Sequence, residues 1–303
     1  MHLPNFFVIG APKAGTTALY HTLRQHPEVY LSSVKEPGYF NCDGEPPILP
    51  GPAGTYLRRT SVWQPRSYAL LFAGVTEQRA IGEASPIYLR SALAAHRIKQ
   101  SLPTSRLIAL LRQPAERAYS HYTFMRQHGV ELMPSFERAL TDENLRLQKG
   151  WFSGLHHKTN GYYFSQLSVY YNLFPREQIR VYLYEDWKNT PQAMLRDIFS
   201  FLEIDENFMP ELRLSNVTRQ PRSRRLHNLA THPEHFRRLT PFLPKSGSSA
   251  LFSLLRCVDQ KLNLAPPPPL HPETRSRLTA DYREDILQLQ GLIGRDLSHW
   301  LSA

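Results

Sequence analysis

Cysteine is nearly absent: Cys42 and Cys257 are the only two in 303 residues. They lie far apart and lack metal-ligand spacing, which argues against a disulfide framework or a zinc site and fits a reducing compartment. No apolar run is long enough to span a membrane, and no segment has the design of a signal peptide. The first apolar run, from Phe6, is short and leads straight into a loop, so it reads as a core strand. Together with arginine and proline enrichment, these features suggest a cytoplasmic, bacterial protein without stable membrane insertion. Negative charge is also scarce, with 26 Asp and Glu against 36 Lys and Arg, a formal net charge of +10. That excess is either a solvated basic surface or the footprint of a polyanionic ligand, and charge alone does not choose.

Two features of common nucleotide sites are missing as well. The opening stretch has no glycine–lysine pair of the G-x-x-x-x-G-K-[ST] type. No strong pattern of an apolar strand ending in an Mg²⁺-holding aspartate is present. "VYLYEDW" (181 to 187) comes nearest, but Glu185 and Asp186 read more simply as the end of a strand.

What is present begins with "FFVIGAPKAGTTALYHTL" (6 to 23), an apolar run, a turn and a helical pattern. Further strands are expected within 80 to 89, ending near Ser85–Pro86, within 105 to 114, ending on Arg112, and at 177 to 187, and residues 30 to 40 read as a short extended piece and a turn. Helices are expected at 115 to 129, 161 to 175 and 190 to 204, the last with Thr190 as N-cap and Pro191 at its first position. A final helix carries Leu278, Tyr282, Ile286, Leu289 and Ile293 on one stripe. Residues 41 to 60 are a Pro/Gly-rich surface loop, residues 130 to 160 a helical excursion or lid, and residues 264 to 273 a stiff linker. Strands alternating with helices imply an α/β fold, an open parallel sheet with helices on both faces. Ligands of such sheets sit beyond the carboxyl ends of the strands. Lys13, Ser85 and Arg112 each fall just past a strand's end, so three separate segments converge on one crevice.

The first loop suits an anion. A helix N-terminus offers unpaired N–H groups and the positive end of its dipole, here along Lys13, Ala14, Gly15, Thr16 and Thr17. Gly15 admits close backbone approach, the threonines add hydroxyls, and Lys13 adds a charge. The alternative is a tight turn with a solvated lysine. Arg112 and Ser120, two turns into the following helix, can hold a second phosphate. The alternative there is an ion pair between Arg112 and Glu116. Together, the two sites suit a nucleotide phosphorylated at both ends.

The ordered blocks "APKAGTTAL", "KEPGYF", "GEASPIYL", "LLRQPAERAYSHY", "GYYFSQLSVYYNLFP" and "VYLYEDW" resemble the sulfotransferase family. The similarity is closest to the glycosaminoglycan branch and its bacterial relatives. It runs from residue 5 to about 205, with a C-terminal helical region (206 to 303) expected to pack on that core as one domain. The resemblance implies a P-loop NTPase-like three-layer fold and 3′-phosphoadenosine 5′-phosphosulfate (PAPS) as donor. It assigns Lys13, Ala14, Gly15, Thr16 and Thr17 to the 5′-phosphosulfate, and Arg112 and Ser120 to the 3′-phosphate. It implies transfer without a metal, release of adenosine 3′,5′-diphosphate, and Lys13 at the bridging oxygen. Glu36 matches the family's general base, with His121 a weaker rival whose simpler reading is a helix-surface histidine. Arg222 and Arg224 in "TRQPRSRR" stand where a basic loop of the family meets the nucleotide. Ala84, Gly38 and Asn41 depart from residues common in the glycosaminoglycan enzymes, so a heparan-like acceptor is not implied. The expected acceptor is a hydroxyl, less readily an amine, of a carbohydrate, lipid or small metabolite, and not a nucleic acid. The segments 44 to 54 and 130 to 160 are expected to shape its cleft. Two rivals remain on the residues: an Mg²⁺-dependent P-loop kinase and a non-catalytic polyanion-binding protein.

Overall fold

The computed structural model describes residues 2–42, 44–45, 50–51, 61–212, 220–231 and 245–302. Five strands form one parallel sheet: β1 (Phe6–Gly10), β2 (Val29–Leu31), β3 (Ala80–Ala84), β4 (Arg106–Leu111) and β5 (Ile179–Leu183), in the order β2-β3-β1-β4-β5. Every residue of β1 and β3 is buried, and β1 accordingly reads as a continuous apolar run and not as alternation. Phe7 pairs with Glu83 on one side and with Leu107 on the other. The chain leaves β1 toward β2 and later crosses over it to β4, so the sheet's switch point lies at the carboxyl ends of β1 and β4.

The extended piece expected in 30 to 40 begins as a true edge strand, β2, paired with β3. The strand expected to end near Ser85–Pro86 stops at Ala84, and a 3₁₀ turn takes over at Pro86–Arg90, because Pro86 has no N–H to donate to a ladder. One strand boundary differs from that expected. The strand expected through residue 187 stops at Leu183. There the Asp186 carboxylate accepts the Leu183 N–H at 2.8 Å and starts a helix, so Glu185 and Asp186 are helical residues.

The helices are α1 (Thr16–Leu23), α2 (Pro65–Leu70), α3 (Ala92–Ser101), α4 (Pro114–Gln127), α5 (Phe136–Thr141), α6 (Glu143–Gln148), α7 (Tyr163–Leu173) and α8 (Tyr184–Asn189). They continue with α9 (Pro191–Leu202), α10 (Arg224–Thr231), α11 (Lys245–Val258) and α12 (Pro272–Ile293). Helix α4 opens with Pro114 in its first turn, and the Gln113 side chain accepts the Glu116 N–H at 2.8 Å. Thr190 does precede α9, yet its hydroxyl donates back to the Asp186 carbonyl at 3.4 Å and caps nothing.

Residues 130 to 160 form a helical excursion pinned from inside. Glu131 accepts a forked pair of bonds from Arg146, at 2.7 and 3.0 Å, and one from His157 at 2.9 Å, all three side chains being buried. Burial works to raise the Glu131 pKa, but the bonds from His157 and Arg146 outweigh it and bring it down to about 2. The C-terminal stripe is buried through Leu278, Tyr282, Ile286 and Leu289, while Ile293 is half-buried. Asp186 grips Arg295 at 2.7 and 2.9 Å, and Glu185 accepts the Trp300 indole N–H at 3.1 Å. The acidic pair that superficially suggested a metal-holding strand end therefore anchors the chain's last turns.

Candidate active site

A cleft of about 1420 Å³ opens over the carboxyl ends of β1 and β4. The loop after β1 forms its floor. Lys13 and Gly15 both take the left-handed region, with φ of 71° and 99°. At Gly15 a Cβ would also be crowded, sitting 3.3 Å from the side chains of Leu110 and Tyr184. This turn points the first amides of α1 toward the cleft, where Lys13, Gly15, Thr16 and Thr17 line the wall, while Ala14 is buried beneath them. The Lys13 ammonium lies 4.4 Å from the centre of the Phe124 ring. Burial, and then the charge of Arg112, bring the Lys13 pKa down to about 8.

Arg112 and Ser120 line the same cleft. Arg112 donates to the Lys13 carbonyl at 3.4 Å, so the first loop and the end of β4 are in direct contact. Its guanidinium also pairs with Glu116 at 3.6 Å and lies 5.0 Å from the Tyr184 ring centre. The ion pair and the convergence on the crevice, which read as alternatives in the sequence, coexist.

Glu36 enters from the loop after β2, again with a left-handed backbone, φ 61°. Its N–H donates to the Ala84 carbonyl at 3.0 Å and its carboxylate pairs with Lys35. Ser85 follows β3 as expected, but its buried hydroxyl turns inward. It donates to Glu83 at 3.2 Å and accepts the Gly38 N–H at 3.2 Å, so it fixes the loop that carries Glu36 and does not line the cleft. Glu83, which sequence reasoning passed over, is fully buried on β3 and also accepts from Tyr88 at 2.8 Å and Tyr68 at 3.1 Å. Burial pushes its pKa up to about 7. Of the positions that depart from the glycosaminoglycan pattern, Gly38 and Asn41 line the cleft and Ala84 is buried in the sheet.

His121 is not the surface histidine that helix periodicity suggested. It is 3% exposed, lines the cleft, and is held well below the ordinary histidine range by burial and then by His157 and Arg117. Arg222 is exposed and absent from the lining, its N–H donating to the Asn263 carbonyl at 2.7 Å. The side chain of Arg224 lies outside the described residues, as does most of the stretch 44 to 54. The C-terminal contribution to the wall comes instead from Pro267, Pro268, Pro269 and Leu270, latched by the Tyr119 hydroxyl on the Pro268 carbonyl at 2.8 Å. Trp151 and Phe152 line the cleft from the 130 to 160 excursion. Among the described residues no helix is long and apolar enough to cross a membrane.

A parallel sheet of this order, with an anion-ready loop on its first strand and an arginine on the neighbouring one, defines a class of sulfuryl- and phosphoryl-transfer folds. The family model of the sulfotransferase domain matches residues 3–248, and the chain belongs to that family. A crystal structure of a sulfotransferase from Alicyclobacillus acidocaldarius superposes with a TM-score of 0.77 at 27% identity, over 100% of both chains. The membrane-associated sulfotransferase kil1 of Dictyostelium discoideum is 27% identical over 292 residues, covering 71% of this chain and 59% of that protein. Human carbohydrate sulfotransferase 15 is 27% identical over 287 residues, covering 80% of this chain and 50% of that protein. The bovine bifunctional heparan sulfate N-deacetylase/N-sulfotransferase 2 is 29% identical over 67% of this chain and 22% of its own length. The chain thus spans between 22% and 59% of the length of these curated relatives.

Proposed function

We propose that the enzyme transfers the sulfuryl group of PAPS to a hydroxyl, most readily of a carbohydrate, by in-line displacement. The observation that carries this reading is the joining of Lys13 and Arg112 at the ends of adjacent strands, in one cleft with Glu36. The loop amides, Thr16, Thr17 and Lys13 bind the 5′-phosphosulfate, and Arg112 with Ser120 binds the 3′-phosphate. Glu36 takes the acceptor's proton as its oxygen forms a bond to sulfur. The bond from sulfur to the bridging oxygen breaks, and adenosine 3′,5′-diphosphate leaves with the electron pair. Lys13 stabilises the charge that builds on that bridging oxygen. The names of the carbohydrate and heparan sulfate relatives support a sugar acceptor.

Calorimetry with adenosine 3′,5′-diphosphate tests the donor assignment. The wild type is expected to bind it in the micromolar range, and Lys13→Ala and Arg112→Ala are each expected to lose the binding. A folded wild type that does not bind overturns the reading. Transfer that persists in EDTA separates it from an Mg²⁺-dependent kinase.

A further inference from the structure

Besides the groups used in the transfer, the cleft carries an arginine with no ion-pair partner among the described residues. Arg90 ends the 3₁₀ turn Pro86–Arg90 and lines the cleft. Its Nε donates to the Ser153 hydroxyl at 3.0 Å, and its guanidinium lies 5.7 Å from the Phe152 ring centre. Its Nη1 is sealed from water and has no hydrogen-bond partner among the described residues. Nδ1 of the buried, cleft-lining His121 is likewise unpartnered. Arg117 lies one turn before His121 on α4, fully buried. It donates Nη2 to the His157 carbonyl, and no described residue bonds its Nε or Nη1. The His157 ring lies 5.7 Å from that of His121, and the charges of Arg117 and Arg90 both act on His121.

The described carboxylates nearby are engaged elsewhere. Glu36 pairs with Lys35, and Glu116 with Arg112 and Arg275. Glu131 holds Arg146 and His157, and Glu143 accepts the backbone N–H groups of Lys158 and Thr159. Burial, and then Arg117, bring the Arg90 pKa down to about 9, which leaves it charged at neutral pH. A buried, charged donor without a partner is costly, and an oxyanion relieves that cost through a charge-assisted bond. Arg90 lines the same cleft as Glu36 and is held there by Ser153 and Phe152 of the 130 to 160 excursion, the segment expected to shape the acceptor's side.

We propose that Arg90, with His121 beside it, forms an acceptor subsite for an oxyanion, a carboxylate or sulfate ester on an acidic sugar, next to the hydroxyl that meets Glu36. The inference rests on the sulfotransferase reading of the same cleft. Arg90 then selects the acceptor and has no part in holding the donor.

The test reads donor binding and acceptor choice separately. Calorimetry with adenosine 3′,5′-diphosphate is run on the wild type, Arg90→Gln and Arg90→Lys, and equal affinities are expected. No binding to the wild type would sink the donor assignment itself, whereas a tenfold or greater loss confined to the Arg90 variants would move Arg90 to the donor site and overturn this proposal. Sulfate transfer from labelled PAPS is then measured to desulfated chondroitin, to the same polymer with its carboxyl groups reduced to alcohols, and to sulfated chondroitin. The wild type is expected to prefer an acidic polymer over the reduced one by about tenfold to a hundredfold in kcat/KM. Arg90→Gln is expected to lose that preference through KM, with Arg90→Lys recovering part of it. The ratio between desulfated and sulfated polymer tells which oxyanion is held. Equal use of reduced and acidic polymer by the wild type, use of none of them by a protein that binds the nucleotide, or an unchanged preference in Arg90→Gln overturns the subsite. If Arg90→Gln fails to fold, Arg90→Lys and the wild-type comparison decide.

Discussion

Lys13 and Glu36, on loops from two different strands, both hold left-handed backbone conformations, φ 71° and 61°, and both line one cleft. Such conformations cost about 1 kcal/mol or more for a residue with a side chain, and they persist where neighbouring contacts over-determine them. Here the contacts are the bond from Arg112 to the Lys13 carbonyl and the bond from the Glu36 N–H to Ala84. Strain at these two positions aims one cation and one carboxylate at the same space.

The first consequence concerns pH. Lys13 is held at about 8 instead of 10.5, chiefly by burial and then by Arg112. The free protein therefore loses this charge as pH rises through about 8, and affinity for adenosine 3′,5′-diphosphate is expected to fall about thirtyfold between about pH 7 and about pH 9.5. Binding near pH 8 should also take up protons, seen as a buffer-dependent enthalpy. Lys13→Arg is expected to flatten the curve. A flat curve in the wild type would show that the Lys13 charge is not used in binding.

Glu36→Gln separates binding from chemistry. Donor affinity is expected to stay within about twofold while kcat falls by about 10²–10⁴, the usual contribution of a general base. A normal transfer rate in this variant would remove Glu36 from the mechanism.

Glu83 links the site's support to stability. Its folded pKa is raised from 4.5 to about 7 by burial, so its stabilising effect is full below its unfolded pKa and is lost as pH rises through about 7. The change is about 3 kcal/mol as an order of magnitude. Urea unfolding at a series of pH values should show Glu83→Gln losing less stability than the wild type between about pH 4.5 and about pH 7.5. Parallel curves would mean that the three hydroxyls hold a permanently charged carboxylate.

Glu131 behaves in the opposite sense. Its pKa of about 2 means that its contribution is present above its unfolded value and is lost as pH falls toward 2. Glu131→Ala leaves Arg146 buried without its anion and is expected to cost ~3–5 kcal/mol in denaturant unfolding. Because this cluster pins the segment bearing Trp151 and Phe152, acceptor KM is expected to rise more than donor affinity falls. A loss under about 1 kcal/mol would show that water reaches the cluster.

Local chemistry carried much of the reading. The turn from Pro12 to Thr17, the strand that ends before Arg112 and the proline-opened helix after it are short-range features, and glycine, proline and periodicity report them directly. Side-chain direction was less legible. Ser85 and His121 exchange their expected places, Ser85 turning into the sheet and His121 onto the cleft wall. Residue spacing along a helix or after a strand does not say which neighbour covers it. Arg90 and the proline segment take their roles from residues far along the chain, Ser153 and Tyr119, which no local pattern reports, and Glu83 is closed off by Tyr68 from outside its own strand and turn.

From the sequence alone came the order of the strands and helices, the anion-ready loop and the family, all of which are written in contiguous residues. The tertiary structure decided which charges face each other. It set Lys13 against Arg112 at the sheet's switch point, took Glu185 and Asp186 away to Trp300 and Arg295, and left Arg90 in the wall without an anion among the described residues. The physical reason is that burial and pairing, which set the energy of a charge, are properties of the packed chain and not of its local order.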